Sequence, residues 1–392
     1  MPTAAPRLGQ RLGQRRGRIS FATGATFTWA SVATLATLSA TGCVPSAGGP
    51  QARPERGQGG TRAGAGSGSP TVAAAPREAE RPHLAAPPPP PPTRRVIVIA
   101  GREVPVGAEV LTWKDAGGFD GYKETCWFDP SRALPSSPAA GCDTARRYSE
   151  RKPGWGPLAE LVAKRGWTPD LAALQLDQMV IHYDVAWTSQ QCFRVLHDLR
   201  GLSCHFLLDV DGTIYQTLDV TVRARHAAGA NDRAIGIEIA HPGPLELTPA
   251  LKEYYKQDNQ GPWFDLGARS SHPRTKGFVV RPARPAPLRG QIHGTTYTQW
   301  DFTEPQYEAL AQLIVALRRE LPRLALTAPT DHEGRLRLDA LSPQELEAYS
   351  GLLGHWHVTR NKQDPGPAFD WARVLARVQA LEAAAGSSSP GH

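Results

Sequence analysis

The stretch DQMVIHYDVAWTSQQCFRVLHDLRGLSCHFLLDVDGTIYQT, residues 177–217, decides the fold class. Its first seven residues have the apolar, β-branched character of a strand. Thr188 or Ser189 can cap a following helix, which Gly201 ends. An Asp-Gly pair at 211–212 then separates two strand-like runs, the strongest short signal for a hairpin. Strand, helix and hairpin in this order predict an α/β protein. The predicted apolar face of the helix consists of Cys192, Val195, Leu196 and Leu199.

Further elements extend this pattern in both directions. Upstream, residues 95–100 read as a strand and residues 158–165 as a helix that ends at Gly166. Downstream, residues 234–239 form another apolar strand, interrupted by the carboxylate of Glu238. Thr303 with Gln306 predicts a capping box at the start of an amphipathic helix, and a last helix follows Asp370.

Composition and charge limit the function classes. The chain has 392 residues and 40% hydrophobic content, enough for a sizeable core, and its length leaves one domain or two open. The net charge is +7, but residues 1–95 alone carry +9, which leaves −2 for the rest. A nucleic-acid partner requires a basic face on the folded domain, so we expect none.

The N-terminal region reads as an export signal followed by a tether. Residues 1–43 place five arginines ahead of an uncharged run, which predicts export to the periplasm. Ala-Thr-Gly before Cys43 resembles a lipobox, so Cys43 is a candidate for lipidation and membrane anchoring; a cleaved signal peptide and a soluble periplasmic protein is the alternative. Residues 44–94 are rich in Pro, Ala and Gly, and we expect a disordered linker.

The remaining chain divides by composition. We expect residues 95–175 to be an N-terminal extension of the main folded domain, residues 176–383 to be that domain, and residues 384–392 to be a disordered tail. The Pro-, Arg- and Gly-rich stretch at about 243–300 reads as a long insertion, and such loops are uncommon unless they are functional. A monomer is expected.

Four cysteines beyond Cys43 are an even number in a chain that is predicted to be exported. Their proximity favours disulfides between Cys126 and Cys142 and between Cys192 and Cys204, although four cysteines permit three connectivities. Cys192 could equally be a buried thiol on its helix.

A second stretch, GHWHVTRNKQDPGPAFDW at residues 354–371, contains histidine and aspartate residues that could supply some of the ligands of a metal site. Histidine and carboxylate are ligand types for zinc with an open coordination position. Asp364 is followed by Pro-Gly-Pro, which cannot continue a helix and predicts a rigid turn. His182 closes the strand at 177–183 and, with Glu238, could converge on the same cleft.

These residues together resemble the zinc-dependent N-acetylmuramoyl-L-alanine amidases that share a fold with the peptidoglycan recognition proteins. The resemblance covers residues 179–371. It rests on Val180-Ile-His-Tyr183, Ser203-Cys-His-Phe-Leu207, Asp211-Gly-Thr-Ile-Tyr-Gln216, Arg225-His-Ala-Ala-Gly229, Ile235-Gly-Ile-Glu238, Gly354-His355 and Lys362-Gln-Asp-Pro-Gly-Pro-Ala-Phe-Asp-Trp371. It implies a mixed central β-sheet flanked by helices, with zinc in a surface groove and peptidoglycan or muropeptides as substrate.

The resemblance also implies roles for single residues. His182, His355 and Asp364 occupy the positions of the family's zinc ligands. Glu238 occupies the position of the general base, and Lys362 that of a lysine that stabilises the oxyanion. The family pattern further makes His226 a substrate contact, with Arg225 beside it in place of the usual tryptophan, while His205 could be a packed histidine. His357 competes with His355 as ligand; His355 is favoured because it follows the matching glycine.

Two other function classes fit these residues. Some relatives of this fold lose a ligand and only bind muropeptides, whereas here every ligand position is filled. A metallohydrolase that acts on a different amide is the third hypothesis.

Overall fold

The computed structural model describes residues 94–129, 147–247 and 249–387. The export signal, Cys43 and nearly all of the predicted linker lie outside these ranges. Only Arg94 of the linker is described, and it opens the first strand. No helix in the described ranges is both long and apolar enough to cross a membrane.

Thirteen strands and seven α-helices are present in the described ranges. The strands are β1 Arg94–Ile99, β2 Arg102–Thr112, β3 Tyr148–Glu150, β4 Gln178–Tyr183, β5 Phe206–Leu208, β6 Ile214–Gln216, β7 Val222–Ala224, β8 Ala234–Ile239, β9 Tyr255–Asp258, β10 Gly261–Phe264, β11 Leu288–Ile292, β12 Thr295–Gln299 and β13 Gly351–Gly354. The helices are α1 Gly156–Arg165, α2 Pro169–Gln175, α3 Ser189–Phe193, α4 Glu304–Glu320, α5 Pro343–Ala348, α6 His355–Val358 and α7 Trp371–Ser387.

Seven strands form one central sheet in the order β1-β2-β6-β5-β8-β4-β13. Neighbours β1 and β2, and β5 and β6, run antiparallel, whereas β2–β6, β5–β8, β8–β4 and β4–β13 are parallel. The largest core cluster lies between the sheet and helices α4 and α7, and a second contains Cys192 and Phe193 of α3. The predicted mixed sheet with helices on both sides is therefore confirmed.

Local sequence signals set most boundaries. Thr303 and Gln306 form the predicted capping box of α4, and Gly166 ends α1 with its amide bonded to the carbonyl of Val162. The Asp-Gly turn joins β5 to β6, with Gly212 at φ 85°, a conformation that favours glycine. Helix α7 continues to Ser387 through three consecutive alanines, so the predicted tail begins too early at 384.

The helix after β4 differs from its predicted form. Thr188 caps α3 as expected, but Arg194–Leu199 is a π-helix, and its wider turn buries His197 and Asp198 rather than Val195 and Leu196. The carboxylate of Asp198 accepts the amides of Trp127 and Phe128 at 2.9 and 3.0 Å. Buried polar partners from a distant segment therefore override the apolar period of the helix.

Two regions without a clear sequence pattern prove to be ordered. Residues 102–112 form β2, which pairs with β1 and β6, so the segment before residue 175 completes the central sheet. The long insertion contains two hairpins, β9–β10 and β11–β12. Phe264, Leu266 and Val280 of the insertion pack on Trp187 and Val210 of the core.

Candidate metal centre and catalytic residues

Parallel pairing of β8, β4 and β13 places the candidate residues at one level of the sheet. His182 on β4 is the register partner of Glu238 on β8. On the other side, Gly354 of β13 pairs with Ile181, so His355 follows at the level of His182. Side chains of register partners project on the same face of a parallel sheet. Three neighbouring strands therefore direct two imidazoles and a carboxylate toward one place.

His182, His355 and Asp364 form a buried cluster whose candidate ligand atoms lie within 4.8 Å of one another. Oδ2 of Asp364 is 2.8 Å from Nδ1 of His182 and 3.0 Å from Nδ1 of His355. The two imidazole rings are 4.5 Å apart at their centroids. The three residues predicted as ligands are thus brought together.

The chemistry of this donor set fits a divalent metal. Burial, followed by the neighbouring His355, lowers the pKa of His182 to about 4, so its imidazole is neutral and offers a lone pair. Burial alone would raise the pKa of Asp364, but the two histidines outweigh it and lower that pKa. Two nitrogens and one carboxylate oxygen are the set found in open zinc sites.

His357 is separated from this cluster by its own hydrogen bonds. Its Nδ1 accepts the amide of Gly354 at 2.9 Å, and its Nε2 donates to the carbonyl of Arg337 at 2.8 Å. The segment from His355 to Val358 forms a helical turn and does not continue the extended backbone of β13. The turn still directs the two histidines to different sides, which leaves His355 with the cluster.

Glu238 is half-buried in β8, and one of its two carboxyl oxygens is shielded from solvent. Its Oε2 is buried and has no hydrogen-bond partner in the described part of the chain. Burial, followed by the charges of Asp364 and Asp184, raises its pKa well above the ordinary value. A carboxyl group with a raised pKa and a free oxygen can hold or release a proton during a reaction.

Lys362 is buried on the loop between His355 and Asp364, with 7% of its surface exposed. Burial lowers its pKa to about 8, while Asp364 and Glu238 act in the opposite direction. Arg200, which follows the π-helix, is electrostatically coupled to both Lys362 and Glu238. Sequence reasoning missed Arg200, which belongs to none of the motifs in the sequence.

His226 extends the histidine cluster, and Arg225 lies at its edge. Nδ1 of His226 is 3.1 Å from Nε2 of His182, and its own Nε2 is buried without a partner in the described ranges. A Cβ at position 236 would lie 2.7 Å from this ring, so Gly236 in β8 makes room for it. The side chain of Arg225 is exposed.

His205 has a structural environment. Its Nδ1 accepts the amide of Gly236 at 3.0 Å, and its Nε2 donates to the carbonyl of Val222 at 2.9 Å. The fully buried Arg151 lies beside it and donates to four backbone carbonyls. The packed-histidine interpretation matches this geometry, and sequence reasoning did not single out Arg151.

The cysteines correct one prediction. Cys126 is disulfide-bonded, and its predicted partner Cys142 falls outside the described residues. Cys192 and Cys204 are free, buried thiols, so the predicted bridge between them is wrong and the buried-thiol alternative holds. Both thiols pack in an apolar cluster with Phe193 and Leu207, and burial raises their pKa.

A buried His-His-carboxylate cluster beside a carboxyl group with a raised pKa, on a mixed α/β sheet, is an arrangement typical of metal-dependent hydrolases. The family model described as N-acetylmuramoyl-L-alanine amidase matches residues 172–367, half of the chain, and the chain belongs to that family of enzymes. The resemblance seen in the sequence is confirmed.

Three solved structures are similar to part of the chain. A selenomethionine derivative of AmpD is 19% identical, with 60% of this chain and 91% of that chain covered and a TM-score of 0.29. The amidase LysC from Clostridium intestinale URNW is 17% identical, with coverages of 53% and 88% and a TM-score of 0.29. E. coli AmiD, in complex with the substrate anhydro-N-acetylmuramic acid-L-Ala-D-gamma-Glu-L-Lys, is 16% identical, with coverages of 55% and 65% and a TM-score of 0.29. No curated protein sequence matches the chain significantly.

Proposed function

We propose that the chain is a zinc-dependent amidase that hydrolyses the bond between N-acetylmuramic acid and L-alanine in peptidoglycan or muropeptides. Membership of the amidase family supports the assignment of the bond that is hydrolysed. The observation that carries the zinc dependence is the convergence of His182, His355 and Asp364 beside Glu238.

His182 and His355 would hold the metal through Nδ1, and Asp364 would hold it through Oδ2. A zinc ion in such a site supplies Lewis-acid activation of water and of the scissile carbonyl. The nearly complete burial of the three side chains keeps bulk water from competing for them.

Glu238 is the proposed proton carrier. Its raised pKa and unpaired Oε2 suit a group that takes a proton from the attacking water and then gives it to the leaving amine of L-alanine. Lys362 is the proposed electrostatic partner. Its ammonium would stabilise the negative charge that develops on the lactyl carbonyl oxygen.

His226 and Arg225 are proposed substrate contacts. His226 lies beside the proposed metal site, with its Nδ1 3.1 Å from Nε2 of His182. The exposed side chain of Arg225, in the next position, can reach the anionic groups of a stem peptide.

We also propose that the chain is exported to the periplasm and that Cys43 is lipidated, with residues 44–94 as the spacer to the membrane. This placement would bring the enzyme within reach of the cell wall. Intact-mass and N-terminal analysis of the mature protein test it: a diacylated N-terminal Cys43 supports lipidation, and any other mature N-terminus refutes it.

The deciding experiment incubates the purified protein with peptidoglycan and with a muramoyl-peptide, with zinc and with a chelator. Mass spectrometry would measure the stem peptide released. We expect release that the chelator abolishes and that zinc restores. Binding of muropeptide without zinc-dependent release would instead establish the non-catalytic alternative, and zinc-dependent cleavage of some other amide would establish a different substrate.

A further inference from the structure

One hairpin of the insertion contacts the turn that carries Asp364. Gln299, the last residue of β12, is fully buried. Its Nε2 donates to the carbonyl of Pro365 at 3.1 Å, and its Oε1 accepts the amide of Ala368 at 3.3 Å. A single amide side chain therefore joins both ends of residues 364–368, the ligand turn.

The backbones of the hairpin and of the ligand turn approach closely. A Cβ at Gly290 of β11 would lie 2.6 Å from Cβ of Pro367, and a Cβ at Gly366 would lie 1.9 Å from Oε1 of Gln299. Only glycine fits at either position without a shift of the turn or of the hairpin. The contact is consequently a closely fitted one.

A second side chain of the insertion reinforces the contact. The guanidinium of Arg284 donates to the carbonyl of Ala368 and pairs with the buried carboxylate of Asp301 at 2.5 Å. The far end of the ligand turn is therefore bonded both by Gln299 and by Arg284. Both residues belong to the long insertion.

The ligand turn has little regular structure of its own to fix the carboxylate. Its backbone bonds are the amide of Trp356 to the carbonyl of Asp364 at 3.3 Å, and the amide of Phe369 to the carbonyl of Gly366 at 3.2 Å. His182 and His355, in contrast, lie on a strand and directly after one. The position of Asp364 therefore depends on contacts from outside its own segment.

We infer that Gln299 is a positioning residue, which holds the carboxylate of Asp364 in the geometry required for metal binding, and that the β11–β12 hairpin clamps the ligand turn. The inference rests on the proposed zinc site. Residues that orient metal ligands typically contribute 10- to 100-fold in metal affinity or activity. Loss of Gln299 would leave the Ala368 amide and the Pro365 carbonyl without this partner and free the turn to shift.

The same hairpin provides a matched control. Gln291 on β11 has an exposed side chain, and its amide contacts only Thr296, at 3.5 Å, among the described residues. Gln291→Ala therefore removes the same side chain from the same hairpin without touching the ligand turn. Gln299→Glu keeps the acceptor for Ala368 and loses the donor to Pro365.

The experiment measures the zinc dissociation constant of the full-length wild type, Gln299→Ala, Gln299→Glu and Gln291→Ala by competition with a chromophoric chelator. We expect about 10- to 100-fold weaker binding in Gln299→Ala, a loss of comparable size in Gln299→Glu, whose second carboxylate oxygen would face the carbonyl of Pro365, and no change in Gln291→Ala. With saturating zinc, Gln299→Ala should lower kcat and leave KM unchanged, because the hydrogen bonds of the Gln299 side chain within the described ranges go to the ligand turn alone.

The outcomes separate this inference from the proposed function. If the wild type binds zinc and cleaves substrate while Gln299→Ala and Gln291→Ala have equal zinc constants, the inference alone fails. If the wild type binds no zinc, the proposed function fails and the inference with it. If Gln299→Ala does not fold, Gln299→Glu serves as the test instead. A zinc dissociation constant equal to that of the wild type would then overturn the positioning role of Gln299.

Discussion

Replacing His355 and His357 by alanine, one at a time, should distinguish a side chain that binds the metal from one that only stabilises the fold. His355→Ala removes a proposed ligand, and we expect it to lose stoichiometric zinc. His357→Ala removes a buried side chain whose hydrogen bonds within the described ranges are both to the backbone, with the amide of Gly354 and the carbonyl of Arg337. We expect this variant to keep its zinc and to lose stability.

The magnitude for His357→Ala follows from these contacts. The carbonyl of Arg337 keeps a second donor, Nε1 of Trp356 at 3.1 Å, so only the amide of Gly354 becomes unpaired. One unpaired buried donor costs about 1–3 kcal/mol. The cavity left by a fully buried ring adds a cost of similar size, which brings the expected loss to about 2–6 kcal/mol.

Urea unfolding of zinc-free and zinc-loaded protein measures both effects. Zinc at 100 times its dissociation constant should stabilise the wild type and His357→Ala equally, by about 2.7 kcal/mol, and should leave His355→Ala unchanged. Elemental analysis of the dialysed proteins would supply the zinc content independently. The assignment is refuted if His355→Ala retains zinc, or if His357→Ala loses it while its zinc-free stability equals that of the wild type.

Three further outcomes are expected. Glu238→Gln should bind zinc as the wild type does and lose about 100- to 10,000-fold in kcat, measured on a muramoyl-peptide; unchanged turnover would remove Glu238 as the proton carrier. Burial raises the pKa of Asp209 to about 8, so its ionisation opposes folding progressively above pH 4. The stability of Asp209→Asn relative to the wild type should therefore rise between pH 4 and pH 8 in chemical unfolding and then level off, with an upper limit of about 6 kcal/mol; a pH-independent difference would contradict the shift. Alkylation in denaturant without reductant should label Cys192 and Cys204, and recovery of a peptide that links them would contradict their free state.

The elements predicted correctly are those whose determinants are local. Strand β8 is recognisable from its isoleucines, and α4 from its capping box, since both signals lie within a few residues. The π-helix at 194–199 was not predictable, because Asp198 bonds to amides some 70 residues earlier in the chain. Strand β2 was not predicted, because Pro105 and Gly107 interrupt its alternating pattern of apolar residues.

The residues of the candidate site likewise divide into those that sequence motifs predict and those that only the fold reveals. Motifs in the sequence indicated His182, Glu238, His355 and Asp364, and the structure brings these four residues together. The choice between His355 and His357 required the helical turn, because hydrogen bonds to the backbone occupy both nitrogens of His357. Gln299 carries no motif, and its contact with the ligand turn arises only when the insertion folds.

The three proposed ligands are held with unequal rigidity, and this difference indicates where the site is most sensitive to change. His182 lies on a strand with a parallel neighbour on each side, so the sheet fixes its backbone. His355 directly follows the edge strand β13 and begins a helical turn. Asp364 stands nine residues further along, on a segment whose position depends on bonds from Trp356 and from Gln299. Substitutions in the insertion should therefore disturb the carboxylate ligand before either imidazole, although the insertion contributes no ligand itself.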